Sequence, residues 1–413
     1  MKKIVISLAG VLAATAFAPE AAAVPAFARQ VGMGCTACHA QHFPVLNSFG
    51  RAFKAGGYTM MGAQGKIEGD HLSIPDTLNA SIVLKVRHQK DNTPGVTGSK
   101  TSQPQALGDG EWQFPDEFAL LFGGRVAETI GFLLEGNMIG SPLAAGFKMP
   151  VVFDMGAVKV SVIPFITDAL SAQYGYEQSS GGVMRSNRWS EHRRETSAIQ
   201  YNADRGGDGG SATGAALVVA NDMGYVNVTK YAANFGGGST WGSTYLRVAA
   251  TPTVADWAMV VGLGRMSGQS YSAAATAAVQ TEQTFADLQM QGEVAGRELG
   301  VYAQYAKAPS GSGGLKNAYN GSTNTANPDR KAMTIGADFS VVPHVLTVGA
   351  AYRKAETGGA AATNGDDAMT FTVVYDLYQN VALHLNYSAY SGTAHDAVNA
   401  QKNLRTLMLE SAW

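Results

Sequence analysis

Long apolar runs are missing from this 413-residue sequence once the first two dozen residues are passed. No later stretch reaches the ~18 consecutive apolar residues that a membrane-spanning helix needs. That absence leaves two classes of protein, a soluble protein or a β-barrel, because barrel strands hide their apolar residues in alternation. A composition with 49 glycines, 16 tyrosines and only 15% charged residues suits a barrel but does not decide between the two classes.

An excess of charge of either sign is also missing. The chain carries 30 basic and 32 acidic residues, a formal net charge of -2. Such a balance argues against nucleic acid as a partner, since a protein that binds phosphates normally carries a basic surface. The sequence also shows no nucleophile triad, phosphate-binding loop or zinc-ligand spacing, so common hydrolytic and nucleotide-dependent chemistries have no support.

The long apolar run that the rest of the sequence lacks lies at the N-terminus. Lys2 and Lys3 precede an apolar stretch from Ile4 to Phe17, and the small residues at 21–23 offer a cleavage site. This pattern predicts a secretory signal peptide over residues 1–23, with the mature chain beginning near Val24. We therefore expect an exported bacterial protein.

Cysteine is almost absent, and its position is informative. Cys35 and Cys38 are the only two, and with His39 they form the sequence C-x-x-C-H, the attachment site of a c-type haem. Each thiol forms a thioether with a haem vinyl group, and the imidazole binds the iron. A disulfide is the alternative in an exported chain, but the adjacent histidine favours haem. The sequence predicts one covalently attached haem with His39 as proximal ligand and catalytic residue.

The second axial ligand of such a haem is not fixed by the spacing. Met60 or Met61, about 20 residues downstream, would raise the reduction potential through its thioether. Both methionines are also suited to filling gaps in a core. Three other residues are candidates: Met33, His42 and His71. We disfavour His42, because a continuous helix would place it on the same haem face as His39.

From about residue 78 the chain repeats one unit, an alternating segment followed by a connection. The sequence predicts strands at 78–88, 115–124, 128–138, 150–160, 165–176, 213–220, 224–234, 242–251, 256–265, 282–291, 296–307, 331–340, 344–354, 368–377, 379–390 and 403–413. Short turns, one at Ile163-Pro164, alternate with long Gly/Ser/Asn/Thr-rich loops, and a strand-like piece at 196–202 falls inside one of these loops. Outer-membrane barrels show this asymmetry. We predict an all-β transmembrane fold, an antiparallel barrel of about 16 strands.

The C-terminus supports the same fold. Leu407, Leu409 and Trp413 share one face of the last predicted strand, and the chain stops at that aromatic residue. A terminal aromatic on an amphipathic last strand is typical of barrels handled by the outer-membrane assembly machinery. The alternation and this ending together predict a bacterial outer-membrane protein surrounded by lipid.

Residues 24–76 are predicted to form the haem segment, and residues 77–413 the barrel. So short a segment buries little of its own surface, and a 16-strand barrel has a wide lumen. We therefore expect the segment inside the barrel or at its mouth. Four aromatic residues are expected to pack on the porphyrin: Phe43, Phe49, Phe53 and Tyr58. Three cations are candidate partners of the haem propionates, though equally suited to a solvated surface: Arg29, Arg51 and Lys54.

Six short stretches carry a resemblance to a known family: Phe27–Gln30, Cys35–His39, Phe43–Asn47, Phe49–Arg51, Phe53–Thr59 and Pro115–Arg125. Together they resemble the fused monohaem cytochrome–porins of iron-oxidising bacteria, which are outer-membrane Fe(II) oxidases. The resemblance is strong over the haem segment and the first strands, and rests on architecture elsewhere. It implies a one-electron iron:cytochrome c oxidoreductase that takes electrons from extracellular Fe(II) and passes them to a periplasmic cytochrome or other soluble carrier.

The strand phase also predicts polar residues that face the lumen: Lys85, Arg87, Glu117, Glu135, Arg247, Glu298, Asp338, Asp376 and His384. Carboxylates near the outer opening would attract Fe(II), since oxygen ligands suit that ion. A charge-balanced lumen wall is the alternative, and we favour it. The sequence shows no clustered signature of a stable iron site.

Three other functions fit parts of the sequence. The first is a solute porin that the haem segment plugs or gates. The second is an extracellular metal reductase, which passes electrons outward. A soluble periplasmic β-protein with a haem tail is the third. Conductance, the haem reduction potential and membrane fractionation discriminate among them.

Overall fold

The computed structural model describes residues 25–62, 64–94, 107–139, 143–181, 197–206, 209–236, 240–271, 278–323, 326–398 and 400–413. The predicted signal peptide at residues 1–23 lies outside the described residues and stays a prediction. Two α-helices precede the barrel, α1 (Pro25–Val31) and α2 (Ser48–Ala55), and a third, α3 (Ala198–Gly206), lies within a long connection. Within these ranges no helix combines the length and apolarity that crossing a membrane requires.

The remainder is a closed antiparallel barrel of 16 strands, as the alternation predicts. The strands are β1 (Ala80–Asp91), β2 (Glu111–Ala127), β3 (Ile130–Asn137), β4 (Ala144–Lys148, continued by Val151–Asp154), β5 (Lys159–Thr167), β6 (Ala212–Asn221), β7 (Gly224–Ala232), β8 (Ser243–Ala250, continued by Thr253–Val254), β9 (Trp257–Tyr271), β10 (Ala278–Gln280, continued by Gln283–Val294), β11 (Arg297–Ala308), β12 (Arg330–Val342), β13 (Leu346–Glu356), β14 (Asp367–Tyr378), β15 (Val381–Ser391) and β16 (Asn403–Ala412). Strand β16 closes the barrel on β1, with Leu404 opposite Asp91.

The two faces of the wall differ in polarity. In β7, for example, Asn227 and Thr229 are fully buried and face inward, whereas Val226 and Val228 are exposed on the outside. Other exposed apolar residues of the strands are Leu217, Val219, Leu246, Val248, Val261, Leu263, Ile335, Phe371, Leu385, Leu407 and Leu409. A closed barrel with an apolar outer surface and a polar interior is the arrangement of a transmembrane barrel.

Strands β4 and β5 differ from the prediction. The predicted turn at Ile163-Pro164 is wrong, because both residues lie inside β5, where Pro164 pairs with Ala215 of β6. The actual turn follows Asp154, whose carboxylate accepts a hydrogen bond from the Gly156 N–H at 2.9 Å. Gly156 has φ +81°, which glycine adopts without steric cost. The proline was therefore a misleading turn signal.

Connections alternate in length around the barrel. At one end of the barrel, turns of two to four residues join each even-numbered strand to the next strand, as from β2 to β3 and from β4 to β5. We call this the turn end. Longer connections lie at the opposite end, which we call the loop end. The longest described connection, between β5 and β6, folds inward rather than outward. We call its described parts, residues 168–181, 197–206 and 209–211, the inner loop. Of the strand-like piece at 196–202, residue 196 lies outside the described residues. The rest is not a strand, because residues 198–206 form α3, with Ile199 and Tyr201 fully buried in the lumen.

The N-terminal segment lies inside the turn end. After α1 the chain makes a 3₁₀ turn at Cys35–Ala37, then α2, and then a two-stranded hairpin (Lys66–Gly69 and Leu72–Pro75) before β1. The Asn47 side chain caps α2 by accepting from the Gly50 N–H. The Gln41 N–H donates to the Glu298 carboxylate of β11 at 2.7 Å, so the segment is bonded to the inward face of the wall.

The two inserted pieces meet inside the barrel. The Leu46 N–H, from the N-terminal segment, donates to the Ser180 hydroxyl of the inner loop at 3.1 Å. Arg51 of α2 donates to the Gln291 side chain of β10 at 2.6 Å. The lumen is therefore occupied from both ends by ordered chain.

Candidate haem site in the lumen

The C-x-x-C-H sequence forms a compact turn. The N–H groups of Cys38 and His39 both donate to the Cys35 carbonyl, at 3.0 and 2.9 Å. Both cysteines are free thiols. Burial raises the pKa of the Cys35 thiol to about 12 and raises that of Cys38.

A backbone carbonyl orients the His39 ring. Nδ1 lies 3.2 Å from the Val45 carbonyl oxygen, and the ring packs at 5.3 Å on Phe43. An Nδ1–H that donates to a carbonyl puts the lone pair on Nε2, which is the usual arrangement of an imidazole that binds a metal. The local structure therefore suits the predicted role of His39 as an iron ligand.

A cavity of about 710 Å³ lies beside this turn. The N-terminal segment, the inward faces of β1 to β4 and the inner loop line it, and the lining includes both Cys38 and His39. Three aromatic rings form an apolar wall, with Phe27 stacked on Tyr58 at 4.9 Å and packed edgewise on Phe53 at 5.2 Å. The volume of the cavity and this aromatic wall suit a planar aromatic ligand.

The described lining also carries charges of both signs. Its cations are Lys54, Lys85, Arg87 and Lys148, and its carboxylates are Asp116, Glu117, Glu135, Asp168 and Glu177. Lys85 and Arg87 are paired with Glu117 and Asp116, which leaves two ammonium groups of interest. Lys54 comes from α2 and Lys148 from β4. The Cys38 thiol, an oriented imidazole, an apolar wall and two cations are groups that a covalently attached porphyrin with two carboxylates requires. The second thiol, Cys35, lines a smaller pocket at the same turn. The residues of the turn and of the cavity therefore fit a c-type haem. Of the three predicted propionate partners, Lys54 alone is in the described lining, since Arg29 bonds the Ala80 carbonyl and Arg51 the Gln291 side chain.

The predicted distal ligands lie in different places. Met33 is part of the cavity lining, whereas the described lining includes neither Met60 nor Met61. Met60 is 43% exposed, and its carbonyl accepts from the Gln30 amide at 2.7 Å. His71 is exposed in the hairpin turn. Ligation by Met60 or Met61 stays a prediction that the geometry of the segment does not favour.

A second, smaller pocket of about 50 Å³ lies on the turn-end side of the same motif. Cys35 and His39 line it together with His42, His384 and Glu410. The motif therefore stands between the lumen cavity and the turn end of the barrel.

The predicted lumen charges face inward and are largely paired. Lys85 contacts Glu117 at 2.8 Å, and Arg247 contacts both Glu177 and Asp287 at 2.6 Å. At the loop end, Asp366 binds Arg353 at 2.6 Å, His395 at 3.0 Å and the Tyr201 hydroxyl at 2.8 Å. In the described part of the chain, no three His, Cys, Asp or Glu side chains are arranged to hold a metal ion. The ion pairs fit the charge-balanced lumen wall that the sequence favours.

Sequence reasoning missed three residues of the lumen. Glu177 lies in the inner loop, which was expected outside the barrel. Asp287 was not assigned to the inward or the outward face of its strand. Lys148 lies in β4, whose start was predicted about six residues too late in the sequence. Correct assignment of β4 would have placed Lys148 on the inward face.

Comparisons with known proteins concern the barrel. No family model matches the sequence, and no curated protein matches it. Similar solved structures include OmpT of Vibrio cholerae, with 11% identity over 84% of this chain and 100% of that chain at a TM-score of 0.46. The outer-membrane channel DcaP of Acinetobacter baumannii is 11% identical over 81% of this chain and 97% of its own, with a TM-score of 0.49. OpdK of Pseudomonas aeruginosa is 12% identical over 81% and 98%, with a TM-score of 0.43. Similarity at this level carries no argument about function.

Proposed function

We propose that this protein is an outer-membrane barrel that carries one c-type haem in its lumen and oxidises extracellular Fe(II). The observation that carries the proposal is the position of Cys38 and His39 on the wall of the 710 Å³ lumen cavity. Fe(II) as the donor and a periplasmic cytochrome or other soluble carrier as the acceptor come from the family resemblance. The overall reaction is Fe(II) plus oxidised carrier to Fe(III) plus reduced carrier, one electron in all.

The chain itself would contribute attachment, orientation and exclusion of water. The Cys35 and Cys38 sulfurs would form the thioethers, and Nε2 of His39 would bind the iron while Val45 holds the ring. When bound, the haem supplies a centre that accepts and releases single electrons. The aromatic wall of Phe27, Phe53 and Tyr58 would shield it from lumen water.

The positions of the inserted pieces fit an electron conduit. The inner loop fills the lumen from the loop end, which is the extracellular end in outer-membrane barrels, and the C-x-x-C-H turn faces the turn end, which is periplasmic. Such a barrel would separate the two solutions, and the C-x-x-C-H turn would lie on the side from which a soluble electron carrier approaches.

Stopped-flow mixing tests the proposal. Oxidised full-length protein in detergent is mixed with Fe(II), and the haem absorption bands are followed. We expect reduction of the haem on a physiological timescale, with no absorbance change for the double variant Cys35→Ala/Cys38→Ala. A haem that stays oxidised in the presence of Fe(II) would contradict the iron-oxidase function.

A solute channel is the second candidate. The observation that favours it is a cavity of about 710 Å³ inside the lumen of a closed barrel. Conductance in planar bilayers separates the two, since a large current independent of haem would support the channel. A haem potential well below that of the Fe(III)/Fe(II) couple would instead support outward metal reduction.

A further inference from the structure

Two lysines of the lumen cavity, the partly exposed Lys54 and the buried Lys148, form no ion pair of the kind that other cations of the barrel interior form. Lys85, Arg87 and Arg247 each contact a carboxylate within 2.8 Å. Lys54 and Lys148 form no ion pair with any residue in the described ranges. Both line the cavity that also contains Cys38 and His39.

Lys148 is the more enclosed of the two, with 3% of its surface exposed. Its Nζ donates to the Tyr174 carbonyl at 3.0 Å and lies 4.5 Å from the centre of the Tyr174 ring and 5.9 Å from that of Tyr58. These contacts are one neutral acceptor and two aromatic faces. Glu135 and Asp168 line the same cavity, but neither forms an ion pair with the Lys148 ammonium group. A buried charge in that situation is unfavourable unless a ligand supplies the counter-charge.

Lys54, which reaches the cavity from α2, is also in an environment that disfavours its positive charge. Burial lowers the pKa of its ammonium group to about 8, an effect that Glu177 partly offsets. The charges of Lys54 and Lys148 are close enough to act on one another. Two neighbouring cations that repel each other favour a ligand with two negative groups.

The aromatic part of the lining narrows the chemical class of such a ligand. Phe27, Phe53 and Tyr58 provide an apolar wall, so the ligand needs a flat apolar body as well as two anionic groups. We propose that Lys54 and Lys148 form the subsite that binds the two propionates of the haem. This inference rests on the proposed attachment of haem at Cys35, Cys38 and His39, and adds a barrel residue to the site.

A test of this subsite uses the full-length protein matured with haem in the cell. Positive charge beside a haem favours its reduced form, so Lys54→Met and Lys148→Met should each lower the reduction potential. We expect about a tenfold fall in the equilibrium constant for reduction, which is 59 mV for a one-electron couple. Resonance Raman spectra should show changed propionate modes in both variants, a signature that simple loss of packing would not give.

Matched variants separate charge from structure. Lys54→Arg and Lys148→Arg keep the charge and should retain most of the wild-type potential, and Lys159→Met, at an exposed site in β5, should leave it unchanged. Lys54→Gln and Lys148→Gln replace the methionine variants if those do not accumulate. Covalent haem in the wild type with an unchanged potential in the neutral variants would overturn this subsite alone. Wild-type protein without covalent haem, by intact mass, would overturn the proposed function as well.

Discussion

The His39 ring is held by the Val45 carbonyl, whose oxygen lies 3.2 Å from Nδ1. The same carbonyl accepts from the Ala40 N–H at 3.0 Å, so one backbone oxygen fixes both the ring and the turn that follows it. Val45 itself is fully buried. The orientation of the proposed iron ligand is therefore set by backbone geometry that side-chain substitutions nearby should leave in place.

The first prediction concerns haem attachment. Cys35→Ala/Cys38→Ala should fold and insert as a barrel but carry no covalent haem, because no thioether can form. Intact mass spectrometry measures the missing haem, and heat-modifiable electrophoretic mobility measures the barrel. Covalent haem in the double variant would show that the motif is not the attachment site.

A second prediction compares a glycine inside α2 with the glycine that follows this helix. A Cβ on Gly50 would clash with the Cys38 carbonyl and approach Leu46, whereas one on Gly56, which follows the last residue of α2, would meet Ala52 and Phe53 carbonyls at 3.4 and 3.5 Å. Gly50→Ala should therefore displace the C-x-x-C-H turn despite the better helix propensity of alanine. We expect less covalent haem per barrel in Gly50→Ala and a normal ratio in Gly56→Ala, from absorbance and mass. Equal ratios would contradict the close packing of α2 on the motif.

Much of this architecture follows from local patterns in the sequence. The 16 strands could be predicted because apolar and polar residues alternate within each strand. Cys35, Cys38 and His39 could be recognised as one motif because they lie within five consecutive residues. The inward course of Glu177 and the position of Lys148 could not be predicted in this way. The position of Glu177 depends on which loop enters the lumen. The position of Lys148 depends on the turn between β4 and β5, which the sequence pattern had placed at Pro164. Packing between distant parts of the chain determines both.

A third prediction tests the link between the inner loop and the wall. Arg247 is fully buried between Glu177 and Asp287. Arg247→Met should destabilise the folded barrel by about 3–5 kcal/mol, because it leaves two carboxylates buried near each other. Thermal unfolding in detergent measures the loss. The triple variant Arg247→Met/Glu177→Gln/Asp287→Asn removes the charges together and should recover much of it; no recovery would mean that packing, not charge, is what Arg247 provides.

The last prediction tests the membrane-facing surface. Leu263 lies in the middle of β9 and is 66% exposed, whereas Val254 lies beside a turn and is 58% exposed. A charge at the middle of a bilayer costs roughly 2–4 kcal/mol, and near the interface about 0–1 kcal/mol. Leu263→Arg should therefore lower the free energy of unfolding from lipid vesicles far more than Val254→Arg does, as measured by urea titration of tryptophan fluorescence. The two residues have similar exposure, so a difference between them reports depth in the lipid. Equal effects would mean that the exposed apolar band does not face a bilayer.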